Sequence, residues 1–573
     1  MKTFYTDDKA TQIVLSLLKA HGISKVVVSP GTTNIALVGS MQYDSFFKLY
    51  SSVDERSAAY MACGLSHESG EPVVITCTEA TASRNYFPGL TEAYYRKLPI
   101  LAITGTHGNY EIGHLKPQVI DRSVAPTDTV RKSVNIGKCK DKDDEWYITV
   151  KVNDVILELF RNGGGPAHIN LPFACNTYNT KQLPEVRVIH RYNSTSNLPY
   201  IPQGRIAIFI GIHKPFRQET IKAIDSFCDN HNAVVFCDKT SNYNGKYRID
   251  YALIAAQVQW NPPTANPELL IHIGEVSGDT YTQGKLKPYM TWRVNEDGEI
   301  KDTFRKLSNV FAMSETDFFT YYANINPNPN HEYFISCQKE YELIKSQLPE
   351  IDFSNIWIAQ TLYDKIPSGS YLHFSIFNSL RSWNFFQLNN DIHTTCNVGG
   401  FGIDGALSTL LGASLTHPNV LHFLIIGDLA FFYDMNALGN RYVGNNIRIL
   451  LINNGRGTEF RKFDHPCIVF GEDADPYMAA AGHFGAQSKY LVKEYTQNLG
   501  FEYLSASSKE EFLSSYEKFV NPNVTNHPLI FEVFTNTKSE SEAINAYRHI
   551  IKDKLLSLKN RTKDVVKSIL RFK

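Results

Sequence analysis

The sequence predicts an α/β protein with three doubly wound parallel-sheet domains, followed by a basic helical tail. Three observations lead to this class. The 573 residues are enough for three or four domains. Short, fully apolar segments alternate with segments whose apolar residues recur at helical spacing. Polar stretches interrupt this alternation in two places. Such alternation is typical of βαβ units, whose strands pair in parallel.

The first predicted domain covers residues 1–180. Segments 11–18 and 58–65 have helical spacing, and a further helix is predicted after Thr81. The predicted strands of this domain are 25–28, 72–77 and 99–104. A looser stretch at 177–203, rich in Asn, Ser, Thr and Pro, marks the boundary with the next domain.

The central domain is predicted over 200–345 and the third over 356–538. Apolar strands are predicted at 206–212, 233–237 and 269–273 in the central domain and at 421–426 and 447–452 in the third. The tail, 539–573, has apolar residues at helical spacing and Lys and Arg on the other face. We expect a docked terminal helix there, with contact to a membrane surface or a partner as the alternative.

Composition excludes several classes of protein. Hydrophobic residues make up 43% of the chain and charged residues 20%, which is ordinary for a globular protein. The net charge of −1 gives no electrostatic reason to expect a nucleic-acid partner. The nine cysteines are dispersed, which favours a reducing compartment. The polar N-terminus and the lack of a long apolar run predict a cytoplasmic protein without a signal peptide or membrane span.

A metal site is predicted where two apolar strands of the third domain end. Gly427 and Asp428 follow the first of these strands, and Asn454 follows the second. Asp428 offers a carboxylate oxygen, Asn454 an amide oxygen, and the backbone near Arg456 a carbonyl oxygen. Oxygen ligands together with substrate phosphates are what Mg²⁺ prefers. The carboxyl ends of parallel strands are where open α/β sheets bind ligands, and a diphosphate can meet a helix N-terminus there.

These residues resemble the cofactor motif of thiamin-diphosphate-dependent enzymes, except that Leu429 replaces a glycine and the spacing is one residue short. Other segments resemble one particular family of these enzymes, the menaquinone-pathway family of 2-succinyl-5-enolpyruvyl-6-hydroxy-3-cyclohexene-1-carboxylate synthases. The resemblance covers the first and third domains, whereas the central domain is recognisable only by its position. The matching segments are 29–31, 54–56, 81–82, 85–86, 88, 92–93, 402–409, 427–429, 433–434 and 436–438.

The resemblance implies a pyrimidine-binding, a central and a diphosphate-binding domain of the thiamin-diphosphate-enzyme type. It also implies thiamin diphosphate and Mg²⁺ or Mn²⁺ as cofactors. A homodimer or dimer of dimers is implied, because the cofactor of this family lies between the first domain of one subunit and the third domain of another. The implied cofactor-binding residues are Glu55, Thr81, Asn85, Ser379, Ile403, Gly427, Asp428, Leu429, Asn454 and Phe460, and the implied metal ligands are Asp428, Asn454 and Arg456.

The resemblance also implies catalytic roles. Glu55 would bond the aminopyrimidine ring of the cofactor and thereby activate it, and Gln118 would contact bound intermediates. His107 is our candidate for proton transfer or acceptor binding, because an imidazole donates and accepts protons near neutral pH. Ile403 would be the apolar wedge that bends the cofactor.

Four arginines that bind polyanionic substrates in this family are absent here. The aligned positions hold Thr33, His107, Trp383 and Val398. A guanidinium grips a carboxylate through two hydrogen bonds, so these losses predict a smaller or less charged donor such as pyruvate and a neutral or sugar-like acceptor. Arginines near the motifs could restore part of the charge, namely Arg84, Arg381, Arg456 and Arg461.

The predicted function is thiamin-diphosphate-dependent decarboxylation of a 2-oxo acid with carboligation to an acceptor. Three alternatives stay open. The chain could be a genuine 2-succinyl-5-enolpyruvyl-6-hydroxy-3-cyclohexene-1-carboxylate synthase, a simple 2-oxo acid decarboxylase, or a scaffold that has kept the fold and lost the chemistry. The presence of Glu55, Asp428 and Asn454 argues against the scaffold.

Overall fold

The computed structural model describes residues 4–172, 177–194 and 197–551. Its strands are β1 (Lys25–Val28), β2 (Lys48–Ser51), β3 (Val73–Cys77), β4 (Ile100–Thr106), β5 (Lys132–Asn135), β6 (Ala167–Pro172), β7 (His190–Tyr192), β8 (Ile206–Ile210), β9 (Ala233–Cys237), β10 (Arg248–Asp250), β11 (Leu269–Ile273), β12 (Met290–Val294), β13 (Leu307–Phe311), β14 (Tyr371–Phe374), β15 (His393–Cys396), β16 (His422–Gly427), β17 (Ile447–Asn453), β18 (Glu502–Ala506) and β19 (Leu529–Phe534).

Helices connect most of these strands. They are α1 (Lys9–Ala20), α2 (Ile35–Met41), α3 (Glu55–Ser69), α4 (Thr81–Asn85), α5 (Phe87–Tyr95), α6 (Lys142–Glu158), α7 (Gln218–Asn230), α8 (Ala252–Ala255), α9 (Thr280–Lys285), α10 (Glu315–Tyr322), α11 (Glu332–Lys345), α12 (Asn355–Leu362), α13 (Asn378–Asn384), α14 (Ala406–Ser414), α15 (Asp428–Asp434), α16 (Leu491–Asn498), α17 (Lys509–Phe519) and α18 (Thr537–Arg548). Within the described ranges, none of them is both long and apolar enough to cross a membrane.

The chain divides into two compact units, which are described separately. The N-terminal unit comprises Met1–Asn193 and Gly298–Ala312, and the C-terminal unit comprises Ser194–Asp297 and Met313–Lys573. The three domains predicted from the sequence correspond to three parallel sheets, and the central sheet lies with the third sheet in the C-terminal unit.

The N-terminal unit contains a six-stranded sheet in the order β2-β1-β3-β4-β6-β5. Every pairing in it is parallel. The apolar side chains of α1 and α6 fill one face of the sheet, and those of α3 and α5 fill the other. Burial on both faces explains why β3 reads as a continuous apolar run rather than as an alternating one. A second, short pairing in this unit joins β7 to β13, also in parallel.

The C-terminal unit contains the central and the third sheet. The central strands pair in parallel in the order β10-β9-β8-β11-β12. The third sheet has the order β15-β14-β16-β17-β19-β18, again with parallel pairings only. When the strands of each sheet are numbered from the first strand of that sheet, the third sheet and the N-terminal sheet have the same order. The two sheets therefore repeat one doubly wound topology.

Most elements predicted from the sequence lie where they were expected, and the predicted α/β class with parallel sheets is confirmed. Helix α18 crosses the predicted start of the basic tail at residue 539, and its Tyr547 is fully buried. The rest of the tail, from residue 552 onward, lies outside the described residues, as does Cys175.

Candidate active site

The carboxyl edge of the N-terminal sheet collects the polar residues predicted from the first domain. Because the strands are parallel, the segments that follow β1, β2, β3 and β4 all emerge at this edge. These segments carry Thr33, Glu55, Thr81 and His107, in that order of strands. The fold therefore gathers on one edge residues that lie far apart in the sequence.

Glu55 is the first residue of α3. The side chain of Asp54 caps this helix by accepting a hydrogen bond from the Ser57 N–H at 2.8 Å. With the backbone fixed in this way, Oε2 of Glu55 accepts a hydrogen bond from Nδ2 of Asn85 at 3.3 Å. Two residues predicted to bind the cofactor are thus in direct contact.

The turn before Thr81 is conformationally strained. Thr81 begins α4, and the preceding residue, Ala80, has φ 56° and ψ −129°. Side chains disfavour this left-handed backbone region, and such strain is found mainly where function demands a particular geometry. Phe377, just before α13, has nearly the same conformation, with φ 62° and ψ −122°. Both strained residues directly precede helices that carry predicted cofactor-binding residues.

His107 contacts a carboxylate that the sequence analysis did not identify. Its backbone N–H donates to Oε2 of Glu79 at 3.2 Å, and its Nδ1 lies in ion-pair contact with Oε1 of the same residue. The side chain of Glu79 is 1% exposed, whereas that of His107 is 35% exposed. A single Glu in a polar turn gave no sequence signal, because its burial depends on the pairing of β3 with β4.

A buried guanidinium, also not predicted, lies behind this pair. Arg122 donates from Nη1 to the Thr104 hydroxyl at 2.9 Å and from Nη2 to the Gly105 carbonyl at 2.6 Å. The imidazole of His168 is 2.8 Å from the same hydroxyl. Burial, together with the charge of Arg122, lowers the pKa of His168 to about 3, so this histidine is neutral.

Gln118 is the last residue predicted from the first domain. It is exposed in a loop, with φ 66°. Within the described residues, no hydrogen bond joins its side chain to Glu55 or His107.

The predicted metal ligand Asp428 begins α15 and is buried. Its Oδ2 accepts hydrogen bonds from the backbone N–H groups of Asn454 at 3.1 Å and Gly455 at 2.6 Å. Its Oδ1 accepts from the Leu429 N–H at 2.8 Å. Burial nevertheless raises the pKa of Asp428 to about 6, because the N–H groups only partly offset the loss of water. A nearby cation would stabilise the ionised carboxylate.

Asn454 supplies the observation that fits a metal ion. Its Oδ1 is buried and has no hydrogen-bond partner within the described residues, whereas its Nδ2 is 3.4 Å from the Thr458 hydroxyl. A buried acceptor without a donor is unfavourable unless a ligand satisfies it. A carboxylate and an amide oxygen that meet at two strand ends form a donor set suited to Mg²⁺.

Hydrogen bonds to the Glu532 carboxylate hold the strand end that precedes Asn454. Nδ2 of Asn453 donates to Oε1 of Glu532 at 2.7 Å, and the Tyr503 hydroxyl donates to Oε2 at 2.7 Å. Burial raises the pKa of Glu532. These contacts fix the backbone direction at the place where the amide side chain of Asn454 emerges.

The other predicted cofactor-binding residues of the C-terminal unit surround this strand end. A Cβ added at Gly457 would come 3.1 Å from the Phe460 ring and 3.3 Å from Leu429, and one added at Gly427 would meet open space. Ser379 is buried near the start of α13, and Ile403 packs on the core beneath α14. The Thr458 hydroxyl accepts a hydrogen bond from Nδ2 of Asn378 at 2.8 Å, which ties α13 to the Asn454 segment.

Three of the four positions where arginine was expected hold buried side chains. Oγ1 of Thr33 is 2.6 Å from Oγ1 of Thr78, and a Cβ at Gly105 would come within 2.2 Å of it. Trp383 and Val398 have no exposed surface. Only His107, at the fourth position, is partly exposed.

The arginines near the motifs already have partners. Arg381 forms a double ion pair with Glu459, at 2.7 and 3.2 Å, and this pair lowers the pKa of Glu459 to about 2 although burial opposes the change. Arg456 and Arg461 both face Asp475, at 2.5 and 3.6 Å. The remaining arginine, Arg84, lies 5.1 Å from the Phe87 ring and donates to the Asp121 carbonyl.

Comparison with known proteins identifies the family. Residues 8–125 match the N-terminal TPP binding domain of thiamine pyrophosphate enzymes. A protein of Bacteroides thetaiotaomicron named 2-succinyl-5-enolpyruvyl-6-hydroxy-3-cyclohexene-1-carboxylate synthase is 30% identical over 585 aligned positions, which cover 96% of this chain and 100% of that protein. The chain belongs to this synthase family.

Two further members carry the same name. The Bacteroides fragilis protein is 29% identical, with 96% of this chain and 100% of the relative covered. The Flavobacterium johnsoniae protein is 27% identical, with 94% and 98% covered. As a member of the synthase family, the chain is a thiamin-diphosphate-dependent enzyme of decarboxylation and carboligation that acts on small molecules, with thiamin diphosphate and a divalent metal as cofactors.

Proposed function

We propose that this enzyme decarboxylates a small 2-oxo acid such as pyruvate and joins the remaining acyl unit to a neutral or sugar-like acceptor. The resemblance seen in the sequence carries the proposal, because it implies that Thr33, His107, Trp383 and Val398 stand where the family has four substrate-binding arginines. Three of these side chains are buried. A pocket without guanidinium groups loses the bidentate contacts that favour polyanionic substrates.

The pairing of the neighbouring arginines supports the same proposal. Arg381 pairs with Glu459, whereas Arg456 and Arg461 share the single carboxylate of Asp475. Moving Arg381 toward a substrate would leave Glu459 with Lys462 as its cation, and moving Arg456 would leave Asp475 with the more distant Arg461. Recruitment of these arginines for an anionic substrate would therefore break existing ion pairs.

Thiamin diphosphate, when bound, supplies the electron sink that makes loss of carbon dioxide possible. In the proposed assignment, Oε2 of Glu55 holds and returns the proton that activates the cofactor, and Asn85 fixes the direction of that carboxylate. Thr81, Ser379, Ile403, Gly427, Leu429 and Phe460 would position the cofactor, and Gln118 would contact bound intermediates.

The proposed metal ligands are the Asp428 carboxylate, Oδ1 of Asn454 and the backbone carbonyl of Arg456. The buried, unpartnered amide oxygen and the raised pKa of Asp428 support the first two. Mg²⁺ or Mn²⁺ would offset the buried charge and bind the diphosphate oxygens.

We also propose a homodimer or a dimer of dimers. Helices α3 and α14 hold equivalent places in the two repeated sheets, and large apolar side chains are exposed on α3 and directly after α14. Tyr60 and Met61 of α3 are 48% and 39% exposed, and Leu415, at the end of α14, is 51% exposed. Clustered apolar surface of this kind is typical of a protein interface.

The proposal is tested by carbon dioxide release from pyruvate, 2-oxoglutarate and phosphonopyruvate, with thiamin diphosphate and Mg²⁺, in the parent and in Glu55→Gln. Each donor is offered alone, with isochorismate, and with a pool of aldehydes and sugars. Release from pyruvate with a ligated product, lost in the variant, is the expected result. Release of a free aldehyde with every acceptor would identify a simple decarboxylase.

A second candidate function is that of the relatives themselves. Relatives named 2-succinyl-5-enolpyruvyl-6-hydroxy-3-cyclohexene-1-carboxylate synthase match almost the whole chain, which favours this candidate. Turnover of 2-oxoglutarate with isochorismate at a rate above that of pyruvate with any acceptor would establish it. In that case other groups bind the anionic substrates.

A further inference from the structure

Glu79 and His107 meet although they follow different strands. Cys77, near the end of β3, is level with Thr104 in β4, so the segments beyond them leave the sheet side by side. Glu79 then makes two contacts with His107, one through the backbone N–H at 3.2 Å and one through Nδ1. The first contact holds the backbone of His107, and the second places its imidazole beside the carboxylate.

The pair is buried on one side and accessible on the other. The Glu79 carboxylate is 1% exposed, and 35% of the His107 side chain can be reached from solvent. The positive charge of the buried Arg122 acts on Glu79 from inside the unit. The residue after Glu79, Ala80, has the strained φ of 56°. The chain thus maintains an unfavourable turn where it directs a carboxylate toward an imidazole.

An imidazole with a carboxylate at Nδ1 keeps a proton on that nitrogen, which leaves Nε2, on the far side of the ring, to exchange protons. We propose that Glu79 and His107 are an acid–base pair that protonates the oxygen of a neutral carbonyl acceptor during carboligation. His107 is the catalytic residue of the pair and Glu79 its positioning residue. This inference rests on the function proposed above and names the class of acceptor.

The proton balance of the reaction agrees with this role. A 2-oxo carboxylate, an aldehyde and one proton give a hydroxyketone and carbon dioxide. The carbon–carboxylate bond breaks, and its electron pair forms the new carbon–carbon bond to the acceptor. The π pair of the acceptor carbonyl moves to its oxygen, which takes the proton from Nε2 of His107. Solvent then restores that proton, and the Glu79 carboxylate stabilises the imidazolium while it is charged.

The charge of the Glu79–His107 pair indicates which class of acceptor it suits. An arginine here would attract a carboxylate, but His107 beside Glu79 presents an imidazole whose positive charge, when it forms, is already balanced by its neighbour. The pair therefore suits an aldehyde or ketone without a carboxylate, including a sugar aldehyde.

Two assays on the whole enzyme with cofactor test the inference. The donor assay follows carbon dioxide release with an oxidising dye in place of the acceptor, and the acceptor assay follows ligated product from neutral aldehydes. General acid–base catalysis contributes about 10²–10⁴-fold to a rate. We therefore expect His107→Gln to lower the rate of ligation in the acceptor assay by about 100-fold. The rate of carbon dioxide release in the donor assay should fall by less than about twofold. Glu79→Gln is expected to lower kcat of ligation about tenfold with the donor KM unchanged, and Glu79→Asp to recover part of that loss.

His67→Gln and Glu68→Gln, at the exposed far end of α3, are the matched controls and should leave both assays unchanged. Equal loss in both assays, or full ligation by His107→Gln, would overturn the inference while leaving the proposed function in place. A parent enzyme that releases carbon dioxide from no donor would overturn both.

Discussion

Among the described residues no donor reaches the buried amide oxygen of Asn454, and burial raises the pKa of the neighbouring Asp428 carboxylate to about 6. Both features are unfavourable in the free protein, and one divalent cation would relieve both. Metal binding should therefore stabilise the folded C-terminal unit, because a ligand that binds only the folded state shifts the unfolding equilibrium.

Replacing Asn454 with alanine should weaken the metal site. We expect Asn454→Ala to bind Mg²⁺ in the presence of thiamin diphosphate at least about tenfold more weakly than the parent, measured as the shift of the thermal unfolding midpoint with Mg²⁺ concentration. Asn498→Ala, at the exposed end of α16, is the control and should titrate like the parent. An unchanged titration in Asn454→Ala would exclude this side chain as a ligand.

Glu540 is predicted to make stability depend on pH. Burial raises its pKa to about 7, although the Thr535 hydroxyl and the Asn355 N–H donate to it at 2.7 and 3.0 Å. The folded state thus binds this proton more tightly than the unfolded chain. The stability that protonated Glu540 contributes is therefore fully present below about pH 4.3 and is lost as pH rises to 7. Glu540→Gln should therefore gain stability relative to the parent between pH 5 and pH 8, by roughly 1–3 kcal/mol.

Chemical denaturation at both pH values measures this difference. Glu542→Gln lies on the same helix, has 58% of its side chain exposed and pairs with Lys538, so it should show no such pH-dependent gain. A Glu540→Gln variant that tracks the parent at both pH values would contradict the assignment.

The sequence identified the site residues that form a spaced pattern, but not those whose burial depends on packing. Asp428 and Asn454 were predicted because each follows an apolar strand, and the structure joins them through a 3.1 Å hydrogen bond. Glu79 and Arg122 were missed, since neither belongs to a pattern. Their burial is decided by strands whose pairing the sequence does not reveal.

At the level of elements, the turn that joins β3 to α4 is held in a strained conformation at Ala80. Glycine lacks the Cβ that makes this region unfavourable. Ala80→Gly should therefore raise the free energy of unfolding, by about 1 kcal/mol. Urea denaturation is the measurement.

Ala82→Gly, two residues later inside α4, is the matched control. Glycine in a helix is less favourable than alanine by about 1 kcal/mol, so the change should have the opposite sign. A destabilised Ala80→Gly protein would mean that the turn is not strained in solution.

Several predicted strands are strong apolar runs, and two of the strands that were missed are not. Strands β3, β9 and β11 are buried along their whole length and were found from composition alone. Strand β5, with the sequence Lys-Ser-Val-Asn, and strand β7, with His-Arg-Tyr, are short and polar. They are strands only because neighbouring strands offer them hydrogen bonds, which is a tertiary effect.

At the scale of the whole molecule, two sheets repeat one strand order, and helix α3 exposes the apolar side chains of Tyr60 and Met61. We expect sedimentation to give a particle of two or four chains of 64.8 kDa each. Tyr60→Glu should shift this particle toward the single chain and reduce cofactor-dependent activity, because a charge would be buried in the interface.

Tyr289→Glu, at an exposed tyrosine of the C-terminal unit, is the control and should keep the parental mass. Circular dichroism separates loss of association from loss of folding. A folded Tyr60→Glu protein that still forms the parental particle would exclude α3 from the interface.

The class of fold and the family were accessible from sequence, because alternating apolar runs and a few motif residues determine them. The substrate was not, because it depends on what the side chains at the replaced arginine positions now do. Thr33 is held by Thr78, and Trp383 is enclosed in the core. Such packing is visible only in three dimensions.

The most direct test of this account is the ratio of kcat/KM for pyruvate to that for 2-oxoglutarate, measured as carbon dioxide release with thiamin diphosphate, Mg²⁺ and a neutral aldehyde. One lost bidentate contact to a carboxylate is worth about 1.5–3 kcal/mol, or roughly tenfold or more. We therefore predict a ratio of at least about ten in favour of pyruvate. A ratio below one would contradict this prediction, because it would mean that the enzyme prefers the more anionic donor, 2-oxoglutarate.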